Sequence, residues 1–359
     1  MSIPHQTNST HRDQWIIGLF LGGVMMVLYF PAILNIFLPP LSERILSPNT
    51  QSINTFQWRE NFATYFISIT LEATPYMIMG AFLAALIEEF LPVGLLPRIV
   101  GRLGILGVPA VSILALLFPI CECGVIVVAR RLLKKGLPLP HVLAYLLAAP
   151  IVNPIVLFGT YVAFFQSYQY MWLRGIGGFV VAVGIGLLFY RIKPHRILIE
   201  SHQDNHHHHH HHHHDDAQPK KSFISNVTRL SNILNHVRED FLDMGLYFLL
   251  GIILASTMKT LVSADILFSV GEGSISGPAS MMFAAFVLSL CSEADAFLAA
   301  SFVEFDLFAH MAFLVLGPML DIKLLIMYRT LFKPGFILLF SLTILTGVSL
   351  YITALHWIL

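Results

Sequence analysis

Residues 137–165 read LPLPHVLAYLLAAPIVNPIVLFGTYVAFF, a stretch of 29 residues without a charge. As a helix it exceeds the roughly 20 residues needed to cross a hydrocarbon core. Pro150, Asn153 and Pro154 fall in its middle. Proline removes an amide donor and breaks the hydrogen-bond ladder. Irregular backbone at membrane depth survives only where protein or water covers it. The stretch therefore predicts a membrane helix that is interrupted beside a cavity.

The rest of the chain agrees with that reading. Its 359 residues carry 21 basic and 21 acidic side chains, 12% charged against 56% hydrophobic, and the mean hydropathy is +0.73. An ordinary soluble protein is about 25% charged. The composition excludes a disordered chain, a collagen and nearly every soluble enzyme, and the zero net charge removes nucleic acid as a partner. Nine apolar stretches follow one another: 15–38, 61–87, 103–129, 137–165, 171–190, 241–262, 277–303, 308–328 and 335–359. The alternation of a membrane barrel is absent. The expected fold class is all-α, a polytopic integral membrane protein of about nine transmembrane helices in a plasma or inner membrane, with the lipid bilayer as its surroundings. The first stretch is too long for a cleaved leader and has no small-residue cleavage site, so it reads as a retained helix.

Charge in the connectors sets a partial topology. Arg130, Arg131, Lys134 and Lys135 crowd one connector, and Arg191, Lys193, Arg196, Lys220, Lys221 and Arg229 flank the large polar segment 191–240. Both belong on the cytoplasmic side. The chain divides into an N-terminal helix and linker (1–60), a first membrane repeat (61–190), a cytoplasmic His-rich loop (191–240) and a second membrane repeat (241–359).

The two repeats share three blocks in the same order. PICECG at 119–124 matches SLCSEAD at 289–295, with Cys121 and Cys291 set 170 apart. AAPIVNP at 148–154 matches LGPMLDI at 316–322, and Glu72–Gly80 matches Asp243–Gly251. Internal repeats are how many transporters are built, with the site at the repeat interface. Four spans per half would make the repeats parallel, but would then put Arg329 and Lys333 outside and Glu304 and Asp306 inside. That opposes the charge bias, which a broken or re-entrant segment would resolve.

The matched blocks hold the chemistry. Pro119, Pro150, Pro154 and Pro318 mark where helices open. Glu122, Glu293, Asp295 and Asp321 sit mid-span, where a carboxylate costs at least about 2.5 kcal/mol and must face a cavity or a partner. Glu72 and Asp243 are weaker candidates. Lys323 has Asp321 or Asp295 as its expected partner. All three cysteines, Cys121, Cys123 and Cys291, lie in these blocks. Thiolates suit a soft ion such as Zn, Cu, Cd or As(III), and Glu293 or Glu122 could complete a zinc site. The expected substrate-binding set is Cys121, Glu122, Cys123, Asn153, Cys291, Glu293, Asp295 and Asp321, with Asp295 also a candidate for proton exchange. Nine consecutive histidines, His206–His214, form a tract in which His206, His208, His210, His212 and His214 are candidate metal ligands. No catalytic residue and no required cofactor is expected, although zinc or another transition metal could bind at these ligands. Neither a P-loop nor the DKTG motif of an aspartyl-phosphate ATPase is present.

PICECGV (119–125), KKGLP (134–138), AAPIVNPI (148–155) and CSEADAF (291–297) together resemble the predicted permeases of the YraQ-like and YcgR-like type, over roughly residues 60–355. The organoarsenical efflux permeases are more distant relatives. The resemblance implies a permease, not an enzyme, that exports a metal or metalloid ion. The CEC spelling departs from other branches, and with the His tract it turns the expectation toward a divalent or cuprous metal. Two other readings stay open: an intramembrane thiol oxidoreductase using Cys121 and Cys123, and a scaffold or sensor subunit of a two-component permease. The expected protein partner is an accessory membrane subunit or a second copy of the chain.

Overall fold

The computed structural model describes residues 55–90, 102–117, 120–191, 223–261 and 276–359, with single positions at 92, 94, 98, 100 and 198. The expected N-terminal helix at 15–38, Pro119 and the histidine tract lie outside the described residues. Residues 1–64 and 65–359 form separate compact units. Of the first, residues 55–64 are described, as the opening turns of helix α1. Twelve α-helices follow in order among the described residues. They are α1 (Thr55–Phe90), α2 (Gly107–Leu114), α3 (Glu122–Lys134), α4 (Leu139–Val152), α5 (Pro154–Ala163), α6 (Tyr168–Leu188), α7 (Phe223–Leu261), α8 (Ser276–Leu288), α9 (Asp295–Ser301), α10 (Leu307–Leu316), α11 (Ile322–Tyr328) and α12 (Pro334–Ile358). The all-α membrane class expected from the sequence holds. Five helical segments are long and apolar enough to cross a bilayer on their own: 59–90, 139–163, 168–191, 233–260 and 334–358.

The opening stretch forms α4 and α5, broken at Asn153. Helix α6 runs antiparallel along both pieces. Arg174 bonds Thr160, Gly178 lies against Ile151, and Gly186 lies against Ala144 and the Pro140 carbonyl. One interrupted crossing is thus zipped to one continuous crossing.

Helices α2 and α3 do something different. Gly107, at the start of α2, touches the His141 ring at the start of α4, and Val108 touches Gly186 near the end of α6. Helix α3 ends at the Lys135–Pro138 turn that leads into α4. So α2 begins, and α3 ends, on one face, while Cys121 between them is fully buried. The pair is a re-entrant hairpin. Helix α1 runs parallel to α3 toward the same face: Gly80 packs on Gly124, and Lys135 donates to the Glu88 carbonyl at 2.7 Å. A Cβ on Gly80 would lie 2.6 Å from Gly124 Cα, so only glycine permits this approach.

The second repeat follows the same order of six helices, upside down. Helix α8 packs along α10, and its Ala285 meets Gly317 at the α10 end. The chain then turns back through α9, making a second hairpin. The α9–α10 connector lies at the opposite face from Lys134, because His310 packs on Phe164 and Tyr170 at the α5–α6 turn. Helix α12 runs antiparallel to α6, with Phe336 against Phe189 and the Tyr351 hydroxyl donating to the Leu173 carbonyl. Arg329 and Lys333 therefore return to the face of Arg130, Arg131, Lys134, Lys135 and Arg191.

Each repeat makes three crossings and one hairpin. An odd number of crossings inverts the second repeat relative to the first. Two of the nine stretches read as spans, 103–129 and 277–303, fold back instead of crossing. The two apolar arms of each together match the length of a span; α2 buries one side, at Val108 and Val111, and leaves Ile113 and Leu114 exposed. The fold-back removes the charge conflict: Arg329 and Lys333 share a face with Lys134 and Lys135, and Glu304 and Asp306 lie toward the opposite face, as the charge bias expects.

Candidate functional site

The sequence breaks four helical paths, and the breaks carry the polar residues. Helix α3 starts at Glu122 after an extended Cys121 (φ −72°, ψ 171°). Helix α5 starts after Asn153, whose Oδ1 accepts from the Ile155 amide at 2.9 Å, and Pro154 occupies the first helical position, where no amide is needed. Helix α11 starts after Asp321, whose Oδ1 accepts from the Leu324 amide at 2.6 Å. Asn153 and Asp321, matched in sequence, are matched as caps. Pro318 lies in the turn between α10 and α11, while Pro150 stays within α4, one turn ahead of the break. Between α8 and α9, Ser289 adopts φ 48°, a left-handed conformation that costs a non-glycine residue of order 1 kcal/mol and clusters at functional sites.

Glu122 joins the two repeats. Its Oε1 accepts from Lys323 Nζ at 2.9 Å, and its Oε2 accepts from Ser292 Oγ at 3.1 Å. Ser292 Oγ lies 3.4 Å from Glu293 Oε2. Lys323 Nζ is 3.6 Å from Asp321 Oδ2, and Glu122, Asp321 and Lys323 are all buried. The sequence offered Asp321 or Asp295 as the partner of Lys323. The nearer acid is Glu122 on the other repeat, and Asp295 is engaged elsewhere.

Asp295 pairs with Arg174, 2.8 Å from its Nη2. The same guanidinium donates to Thr160 Oγ1 at 2.7 Å and to the Ser292 carbonyl at 3.1 Å. Arg174 is the largest fully buried side chain. It ties α6 of the first repeat to the hairpin of the second. Sequence reasoning left it unassigned, although a lone charge inside an apolar span is a signal that a buried acid must answer it.

The thiols line the same interface. Cys121, Cys123 and Cys291 are buried and reduced. Cys121 lies within electrostatic range of Cys123, Glu122 and Cys291, and Cys291 of Glu122, Lys323 and Glu72. Glu72 from α1 and Lys259 from α7 lie within electrostatic range of each other and of Lys323, as Tyr76 does of Glu293. Asp243, matched to Glu72 in sequence, instead lies exposed beside Arg130 at 3.2 Å. Among the described residues no three His, Cys, Asp or Glu side chains stand in metal-holding geometry. Asn153 caps α5 with its oxygen, and its buried Nδ2 has no partner.

A separate ionic cluster lies at the face of Lys134 and Lys135. Arg131 forms a two-pronged bond to Asp240, both distances 2.8 Å, and Glu88 lies 3.5 Å from both Arg131 and Lys135. These bonds join α1 and α3 of the first repeat to α7 of the second.

Residues 58–356 match the model of a family described as a predicted permease. The chain is 40% identical over 276 residues to the UPF0718 protein YcgR of Bacillus subtilis (strain 168), covering 76% of this chain and 90% of that one. It is 36% identical over 276 residues to a protein of Streptococcus mutans serotype c (strain ATCC 700610 / UA159), covering 77% and 88%. That protein is named "Putative two-component membrane permease complex subunit". No solved structure matches.

Proposed function

The chain belongs to the predicted permease family, and from that premise we propose that it moves a soft metal or metalloid ion through the interface between its inverted repeats. One observation supports this reading most. The two re-entrant hairpins bring every cysteine of the chain to one buried, acidic junction around Glu122. Thiols select soft ions. Half-helices meeting near mid-membrane make a substrate seat in inverted-repeat transporters, and rocking of one repeat on the other exposes that seat to alternate sides. In this reading Cys121, Cys123 and Cys291 hold the ion, with Glu122 and Glu293 beside them and Asn153 and Asp321 at the facing helix breaks. Zn, Cu, Cd and As(III) are the candidate substrates, and export is the expected direction. The histidine tract, His206 to His214, serves as a cytoplasmic capture or sensing arm.

Expression in a metal-sensitive cell tests this. The wild-type chain should change resistance to, and cell content of, one of zinc, copper, cadmium or arsenite. Cys121→Ser and Cys291→Ser should each abolish the effect. Unchanged resistance and ion content in both variants would refute the thiol site. Loss in Cys121→Ser alone, with Cys291 dispensable, would favour a thiol oxidoreductase. The name of the streptococcal relative supports a companion reading, that the chain works beside a second membrane subunit. Gentle extraction and native electrophoresis distinguish a second polypeptide from a second copy.

A further inference from the structure

Lys323 breaks the symmetry of the interface. The residue 168 positions earlier, at the matching place in the first repeat, is Ile155. The Lys323 side chain is nevertheless fully buried, with its ammonium 2.9 Å from Glu122 Oε1 and 3.6 Å from Asp321 Oδ2. The two acids differ in their commitments. Glu122 already holds Ser292 on its other oxygen. Asp321 holds the Leu324 amide with Oδ1, while its Oδ2 is buried with no hydrogen-bond partner. The ammonium thus stands within ion-pair distance of two carboxylates, hydrogen-bonded to Glu122 and only ion-paired, at longer range, with Asp321 Oδ2.

We infer that Lys323 is a tethered counter-cation that competes with the transported ion for Glu122. In the empty site its ammonium neutralises Glu122. An arriving cation takes that carboxylate, and the ammonium shifts to Asp321 Oδ2. Neither charge is left buried and unpaired, the condition that is most costly in a low-dielectric interior. When the ammonium returns to Glu122, it expels the ion. Lys323 therefore sets specificity and release without contacting the ion. The inference rests on the soft-cation reading above.

The test uses the purified full-length chain and radioactive Cd²⁺ as the probe. Lys323→Met should bind Cd²⁺ about tenfold more tightly than wild type, with slower turnover in vesicles because release loses its competitor. Asp321→Asn, which removes the second carboxylate, should bind about tenfold more weakly. Lys323→Met that is folded but binds no more tightly overturns the inference. If Lys323→Met does not fold, unchanged binding by Asp321→Asn overturns it. Wild type that binds no Cd²⁺ overturns the soft-cation reading, and this inference with it, whereas wild-type binding that neither variant alters overturns the inference alone.

Discussion

Glu122 accepts a hydrogen bond from Ser292 at 3.1 Å, and the two residues occupy the same place in the two repeats, 170 positions apart. Contact between equivalent residues places them at the pseudo-twofold axis that relates the halves. The axis is not decorated equally. The first repeat brings a carboxylate to it and the second a hydroxyl, and Lys323 supplies the compensating charge.

Glu122→Gln should remove the shared acceptor and strand Lys323 with Asp321 alone. Removing one partner of a buried pair costs about 3–5 kcal/mol. We expect a clear fall in thermal stability in detergent and loss of transport. A stable, active Glu122→Gln would mean that the pair across the axis is dispensable.

The Arg174–Asp295 pair gives a second, independent expectation. Arg174→Met or Asp295→Leu alone should each destabilise by about 3–5 kcal/mol, while the double variant should recover most of that loss. Thermal unfolding of the four proteins measures the coupling. Additive losses would show that the two charges do not interact in the folded membrane protein.

Inversion of the repeats predicts a labelling pattern. In a cysteine-free background, Glu304→Cys should react with a membrane-impermeant maleimide only from outside, and Arg329→Cys only from the cytoplasm. Reaction of both from one side would restore the parallel arrangement.

The ionic cluster predicts a gate. Asp240→Asn leaves Arg131 with Glu88 as its remaining acid partner, 3.5 Å away. We expect faster labelling of Cys121 and Cys291 by a water-soluble maleimide applied from the cytoplasm. Labelling at the wild-type rate would show that the cluster does not seal that route.

The membrane class was legible in the sequence because it rests on local signals. Charge-free length marks a membrane segment, and Asn153 and Asp321 announce helix starts whatever surrounds them. Gly80 and Gly251 lay in a matched block, and both prove to be close approaches, to Gly124 and to the Lys323 backbone. The hairpins were not legible. A pair of apolar arms is as apolar and as long as a span, and in the first repeat it is the placement of Gly107 beside His141 that shows that the chain turns back. The strongest ion-pair partners were not legible. Lys323 with Glu122, and Arg174 with Asp295, join residues 201 and 121 positions apart, whereas sequence proximity offered Lys323 its more distant acid, Asp321, and Asp295, which pairs with Arg174 instead.

Among the described residues the ionic cluster of Arg131, Glu88 and Asp240 has no mirror image. At the places in the other repeat that correspond to Arg130, Arg131, Glu88 and Asp240 stand Ala300, Ser301, Lys259 and Ile69. Among the described residues, the two halves of one backbone plan are thus fastened by charge at one face and not at the corresponding places of the other. A vectorial machine needs some such inequality, because a perfectly mirrored pair of halves has no means of telling inside from outside. Here that information resides in a handful of side chains, so exchanging them between the halves should move the fastened door to the other side of the bilayer.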